Sequence, residues 1–252
     1  ESYSMPGGQA PVYENRTNEA VFTFEKDGKE LELYVRVYDD GAAVRYGYSN
    51  DTRVISEETV FSFPAQHISA WAMEYEKSYE QFYLENELSA LSGSYGMPMT
   101  LQLSNELYVM LTEAGLDGSY AGSVLNASDR DLRVGFEPKQ TEPVEITGPF
   151  LSPWRTAVIG GLDTIVQTQM PENLSEPCRI DDTSWIVPGV SGWTWFNGDP
   201  TNEPEVYKQY IDLCAEMGWQ YMMLDEGWQP GTIDELGRKT YSGLNSWVSD
   251  VI

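Results

Sequence analysis

Three residues near the end of the chain could do polar chemistry together: Asp225, Glu226 and Trp228, in the run QYMMLDEGW from Gln220 to Trp228. Such carboxylates ligate cations, hold sugar hydroxyls or move protons, and a neighbouring indole stacks on a sugar ring. Consecutive strand residues face opposite sides, so at most one of Asp225 and Glu226 points into any one site. A helix-capping aspartate beside a loop tryptophan is the plain structural alternative. Trp193, Trp195 and Asn197, in GWTWFN, share one face if that segment is a strand. They would form an aromatic wall with a polar tip, or a pair of core indoles. Glu113, in LTEA with Asp117 close by, sits at a strand end, where a lone glutamate is usually solvated surface. His67 is the single histidine. A Ser-His-Asp triad and a His-rich zinc site are therefore not expected, and a structural or surface role suits His67 better. A calcium site built from carboxylate and carbonyl oxygens stays open. No GxGxxG, Walker loop or HExxH occurs.

The elements that must position these residues change character along the chain. Ala20 to Glu25, Leu31 to Tyr38 and Ala42 to Tyr48 read as an antiparallel meander, with turns at Asp27-Gly28 and Asp39-Asp40-Gly41. In the second of these, Leu31, Leu33, Val35 and Val37 alternate with polar residues, which predicts a half-buried strand with its apolar face inward. Strands follow at 59–63, 81–84, 99–103, 107–112, 132–136 and 155–159, and 70–79 reads either as a surface helix or as an aromatic loop. Many short strands without alternating helices predict an antiparallel sandwich. After Met170 a polar, proline-containing connector leads to GWTWFN as a strand. A helix follows with Asn202 as N-cap and Glu205 as capping-box partner, carrying an apolar stripe from Val206 to Met217 and ended by Gly218. The strand 220–224 is almost continuously apolar, which predicts a parallel strand buried on both faces. The two strands and the helix make one βαβ unit, and polar residues at its strand ends mark the usual site of α/β folds. A (β/α)8 barrel takes about 250 residues by itself. The segment from 177 onward has room for about two βα units of ~30 residues each, so any barrel here would be cut short.

Composition narrows the partners. With 252 residues and 41% hydrophobic side chains the chain can bury a sizeable core. Its formal net charge of −25 repels phosphate backbones and anionic bilayers, which argues against nucleic acid and membrane as partners and leaves neutral ligands and cations. The two cysteines, Cys178 and Cys214, read as free thiols. No signal peptide or spanning segment is visible in this sequence. The four Asn-X-Ser/Thr patterns are too common to carry an argument.

Taken in order, YDDGAAVRY (38–46), LTEA (111–114), SPWR (152–155), DDTSWI (181–186) through Pro188-Gly189, WTWFN (193–197) and the run from Gly218-Trp219 to Asp225-Glu226-Gly227-Trp228 resemble glycoside hydrolase family 97, whose members cleave α-glycosidic bonds. The resemblance implies a mainly β fold: an antiparallel β-supersandwich of the galactose-mutarotase type over 1–176, followed over 177–252 by the first βα units of a truncated (β/α)8 catalytic barrel. GWTWFN would be its first strand and QYMMLDEGW its second. The resemblance further implies that Glu113 reaches over as a ligand of a catalytic calcium ion. An oligosaccharide substrate would meet Trp193, Trp195, Asn197, Asp225, Glu226 and Trp228, and the parent protein would act in a bacterial periplasm or outside the cell. The family's general acid and its base or nucleophile come from later barrel strands. This polypeptide alone is therefore expected to be inactive, with no catalytic residue of its own. α-Glucosidase and α-galactosidase, inverting and retaining, stay open, since the outcome depends on carboxylates from those strands. A non-catalytic carbohydrate-binding sandwich is the alternative. Two barrel strands expose edges and apolar faces, so residues past about Trp228 are expected to be poorly ordered or held by a neighbouring chain.

Overall fold

The computed structural model describes residues 2–5, 10–64, 67–200, 203–233 and 239–251. Contacts divide the chain into two compact units, 1–177 and 178–252.

The first unit opens with two short paired strands, β1 (Ser2–Tyr3) and β2 (Tyr13–Glu14). The meander follows as β3 (Asn18–Lys26), β4 (Lys29–Tyr38) and β5 (Gly41–Tyr48). Asp27 and Gly28 both have positive φ, 54° and 74°, as a two-residue type I′ hairpin turn requires. Next come β6 (Thr52–Val54), β7 (Val60–Ser62), β8 (Ser69–Ala72), β9 (Leu84–Glu87), β10 (Ser92–Tyr95), β11 (Met99–Gln102), β12 (Tyr108–Ala114), β13 (Ser123–Ser128), β14 (Asp131–Phe136), β15 (Val144–Ile146), β16 (Phe150–Leu151) and β17 (Trp154–Gly160). The large sheet runs β3-β4-β5-β17-β12-β11-β8-β9, with β16 paired to β5. A second sheet runs β10-β13-β14-β7. The pairings within both sheets are antiparallel, as the turn-rich sequence predicts.

Period-two alternation assigns the two faces of the large sheet. On β12, Val109 and Leu111 enter the core between the sheets, packing with Met99, Leu101, Leu125, Leu132 and Val134. Ala114 belongs to the opposite face, and Tyr108 and Met110 pack against it. That face is covered by two short helices, α1 (Leu162–Gln167) and α2 (Met170–Leu174), whose Ile165, Met170 and Leu174 close on Trp154, Val158, Tyr38 and Ala43. Neither helix was expected from the sequence, α2 falling where a polar connector was read. Their apolar positions are too few for a visible stripe, and their role is to cap a sheet face. The ambiguous run 70–79 is neither helix nor plain loop: it begins in β8 and adds a single bridge, Glu74 to Tyr95.

The meander departs from expectation in one respect. The apolar face of β4 was expected inward, yet Val37 is 48% exposed, and Phe22 and Phe24, in register with Leu33 and Leu31, are 51% and 54% exposed. The covered face is the polar one, with Tyr38 buried and Arg36 lying 4.8 Å over the Trp154 ring. The physical reason is reach: the core between the sheets is drawn from β8, β11, β12 and the second sheet, while Trp154 and the helices lie under the other face of β4.

The second unit contains β18 (Ser191–Trp193), α3 (Pro204–Met217) and β19 (Tyr221–Met223), with β18 and β19 parallel and Trp193 opposite Met223. Glu203, not Asn202, is the N-cap, no side-chain bond closes it, and Pro204 starts the helix; Asn202 lies outside the described residues. Gly218 ends the helix at φ 69°. The strand GWTWFN is shorter than predicted, because the chain turns after Trp193 into a 3-10 turn, Trp195–Asn197. β19 was expected to be buried on both faces, but Tyr221 and Met223 are 43% and 49% exposed; α3 packs on one side only. Beyond Trp228 the described residues take regular form, a hairpin of β20 (Gly231–Ile233) with β21 (Lys239–Tyr241) and a 3-10 turn, Ser246–Asp250. That turn stacks Trp247 on Tyr207 at 5.4 Å between ring centres.

Candidate functional site

In the first unit, β12 and β17 pair so that Glu113 stands opposite Arg155. Both are in phase with residues of the inter-sheet core, Leu111 on one strand and Ala157 on the other, so both side chains turn inward. Arg155 is 1% exposed and donates Nη1 to Glu113 Oε2 at 2.6 Å. Its Nε and Nη2 bind Glu57 in a two-point fork, at 2.8 Å to Oε1 and 2.6 Å to Oε2. Thr59 Oγ1 adds a fourth bond, 2.8 Å to Glu57 Oε1, and its hydroxyl is also bonded to Tyr46. Burial works to lower Arg155, but the hydrogen bonds and charge of Glu57, then the charge of Glu113, outweigh it and hold the guanidinium above its ordinary value. Burial pushes the Glu113 carboxyl above its ordinary value, and the charge of Arg155 opposes that shift. Two carboxylates around one guanidinium leave one net negative charge in a desolvated place.

Glu113 also lines a cavity of about 380 Å³ with Tyr75, Tyr79, Met97, Thr112 and Ser123. Glu113 was expected from its own residues to be solvated surface. The signal against that lay in the alternation Val109, Leu111, Glu113, which continues a core face. Arg155 shares the corresponding phase with Ala157. Glu57 carries no such signal, because it sits in the loop between β6 and β7 and meets Arg155 98 positions away.

In the second unit, Trp193 Nε1 donates to Asp225 Oδ2 at 2.9 Å, tying the ends of β18 and β19 together. The Asp225 backbone N–H donates to Tyr207 Oη at 3.2 Å, which adds α3 to the arrangement. Asp225 is half-buried, and Glu226, in the turn beyond β19, is exposed. Phe196 packs on Trp193 at 5.6 Å between ring centres. Trp195 and Asn197 do not share that face. The 3-10 turn leaves Trp195 63% exposed and ties Asn197 to Asp199, its Nδ2 donating at 2.8 Å. Trp228 is half-buried and its carbonyl accepts from Asn245 N–H at 2.9 Å. His67 is exposed, with φ 62°. Among the described residues no three His, Cys, Asp or Glu side chains are grouped to hold a metal ion. Among them, too, no helix is long and apolar enough to cross a membrane.

A large antiparallel sandwich with a buried carboxylate–guanidinium–carboxylate centre, followed in sequence by a parallel βα unit with polar groups at its strand ends, defines the class as a mainly β chain of two units. The chain belongs to glycoside hydrolase family 97, whose N-terminal family model, "Glycosyl-hydrolase 97 N-terminal", matches residues 1–177. A curated relative from Streptomyces bingchenggensis named "Probable retaining alpha-galactosidase" is 31% identical over 261 residues, covering 100% of this chain and 40% of that protein. The "Retaining alpha-galactosidase" of Bacteroides thetaiotaomicron is 27% identical over 274 residues, covering 90% of this chain and 41% of its own length. A crystal structure of a beta-arabinopyranosidase superposes with a TM-score of 0.80 at 24% identity, over 90% of this chain and 41% of that one. A family 97 enzyme of Pseudoalteromonas sp. strain K8 in complex with acarbose gives 0.78 at 23% identity, over 94% and 39%. The chain thus spans about 40% of the length of the curated relatives it matches.

Proposed function

We propose that this chain is the sandwich and the opening of the catalytic barrel of a calcium-dependent α-glycosidase, acting on α-galactosides with retention of configuration. The observation that carries the reading is the match across both units to two proteins named as retaining alpha-galactosidases. In this reading β18 and β19 are the first two barrel strands, and the bond from Trp193 to Asp225 fixes one wall of the sugar pocket. Trp195, Asn197, Glu226 and Trp228 contribute at its edge. An oligosaccharide is the substrate, and the parent protein works in the periplasm or outside the cell.

The residues here bind and orient; they supply neither acid nor nucleophile. Arg155, gripped by Glu57, holds Oε2 of Glu113 and so sets the direction in which Oε1 faces. One carboxylate oxygen in a site with net negative charge fits a single ligand of a hard cation. The remaining ligands must come from other residues, since six to eight oxygens are the usual shell. Calcium, when bound, supplies positive charge that can polarise an oxygen of substrate or water.

The parent protein is tested by assaying it on aryl α-galactosides and α-glucosides with and without calcium, following the anomer first released. Galactoside turnover that needs calcium and releases the α-anomer is expected. Turnover of neither substrate, with sugar still bound, would refute catalysis in favour of a carbohydrate-binding module.

A further inference from the structure

The helix-covered face of the large sheet carries a second cleft, of about 600 Å³, walled by Glu32, Tyr34, Arg45, Tyr48, Asp117 and Phe150. Its floor is Arg45. The guanidinium lies 4.3 Å over the Trp154 ring and 5.5 Å over Tyr34, and the side chain is only 11% exposed. Yet its buried Nε has no hydrogen-bond partner, and its ion pair with Glu176 is long, 3.9 Å, to a carboxylate that is itself 75% exposed. A buried Nε left without a partner is costly unless something else meets it.

One side of the cleft is Tyr34, whose hydroxyl donates to Glu32 Oε2 at 3.0 Å. This pair lies over bare backbone, because a Cβ at Gly47 would sit 2.8 Å from Glu32 Oε2 and 2.9 Å from the Tyr34 ring. Tyr48 and Phe150 border the other side, where strand alternation turns their rings, with Tyr120, toward the Arg155 face. Tyr48 and Phe150 stand 6.5 Å apart, tilted by 36°, with Phe150 backed by Tyr120 at 6.0 Å. Asp117, which takes the Ser119 N–H at 3.0 Å, lines the cleft with Glu176.

The chemistry of these walls selects among ligands. Three carboxylates against one guanidinium exclude phosphate and sulfate, and the guanidinium in the floor opposes an organic cation. A wholly apolar ligand would desolvate Arg45 and Glu32 without giving either a new hydrogen bond. A neutral ring with an apolar C–H face and hydroxyls that both donate and accept suits these walls: the Tyr34 ring for its C–H face, carboxylates for its donors, Arg45 for its acceptors. The volume lies within the range of small-molecule sites.

We propose that this cleft on the sandwich unit binds a neutral pyranose unit of an oligosaccharide. The proposal does not depend on the parent's catalytic activity, and either can fail alone. The test is titration of the full 252-residue chain with galactose and with maltose, by calorimetry and by saturation-transfer NMR. Saturable binding of one of them is expected in the range of about 1 mM. Glu32→Ala and Arg45→Met, the latter keeping an alkyl stem over Trp154, should each weaken it tenfold or more. If Arg45→Met fails to fold, Glu32→Ala carries the test. No saturation by about 50 mM of either sugar, well above that range, would overturn the proposal. So would binding that survives Glu32→Ala, or inorganic sulfate competing for the site.

Discussion

Glu57→Ala should be among the most damaging single changes in the first unit, although Glu57 touches nothing outside the protein's interior. The substitution removes both points of the fork at Arg155, at 2.8 and 2.6 Å, and the bond from Thr59. Hydrogen bonds to charged groups contribute about 1.5–3 kcal/mol each, so the two lost from Arg155 set a floor near 3 kcal/mol. Breaking a buried pair by deleting one partner costs about 3–5 kcal/mol, because the surviving charge stays desolvated. Arg155 is 1% exposed and cannot reach water. Glu113 still neutralises it, which keeps the loss within that range rather than above it. Against a whole-domain stability of about 5–15 kcal/mol this is a large fraction. Urea unfolding followed by far-UV circular dichroism, which weights the sheets, should show the unfolding free energy falling by that amount and the midpoint by that amount divided by the m-value. Glu57→Gln, which keeps the shape and loses the charge, should cost about half. A loss below about 1 kcal/mol for Glu57→Ala would mean that the fork is not holding the sheet centre, and the argument for Arg155 as the positioner of Glu113 would fall with it.

Three further outcomes follow from particular contacts. Gly192→Ala would put a Cβ 2.6 Å from Cys214 Sγ and 3.2 Å from Met222 Sδ, prising β18 from α3; a loss of about 1–3 kcal/mol is expected in the second unit, read from near-UV tryptophan signals. Gly218→Ala places a side chain at φ 69° and should cost about 1 kcal/mol of the same transition. Burial raises the pKa of Tyr75 and of Tyr120 above the ordinary 10.0. Their protonated forms therefore add stability that is complete below pH 10.0 and is lost as pH climbs beyond it. An absorbance titration should show these tyrosines ionising above the ordinary 10.0, and Tyr75→Phe should lessen the loss of stability at high pH; a smooth titration of all tyrosines near their ordinary value would contradict this.

What could be read in advance depended on whether the cause was local. The β3–β4 turn was legible because Asp27-Gly28 supplies two positive φ values at adjacent positions. The end of α3 was legible because Gly218 alone supplies the left-handed residue there. The face assignment of β4 was not legible. Alternation fixes which residues share a face but not which face the rest of the chain covers, and Trp154, over 100 residues on, decided for the polar side. The same limit hid Glu57, whose partner is set by strand register rather than spacing. Trp195 and Asn197 were misplaced because a strand pattern of three residues past Trp193 cannot be told from a 3-10 turn ended by Gly198 at φ 77°. Glu113 is the instructive case, since its phase with Leu111 pointed inward while its polarity pointed outward, and phase prevailed.

The buried Cys214, packed behind Gly192, gives the molecule a built-in clock. Of the two thiols, Cys178 is exposed and Cys214 is not. A thiol reagent should therefore label one site at once and the other only when α3 lifts from β18, so the slow phase times the opening of the second unit while the sandwich stays intact.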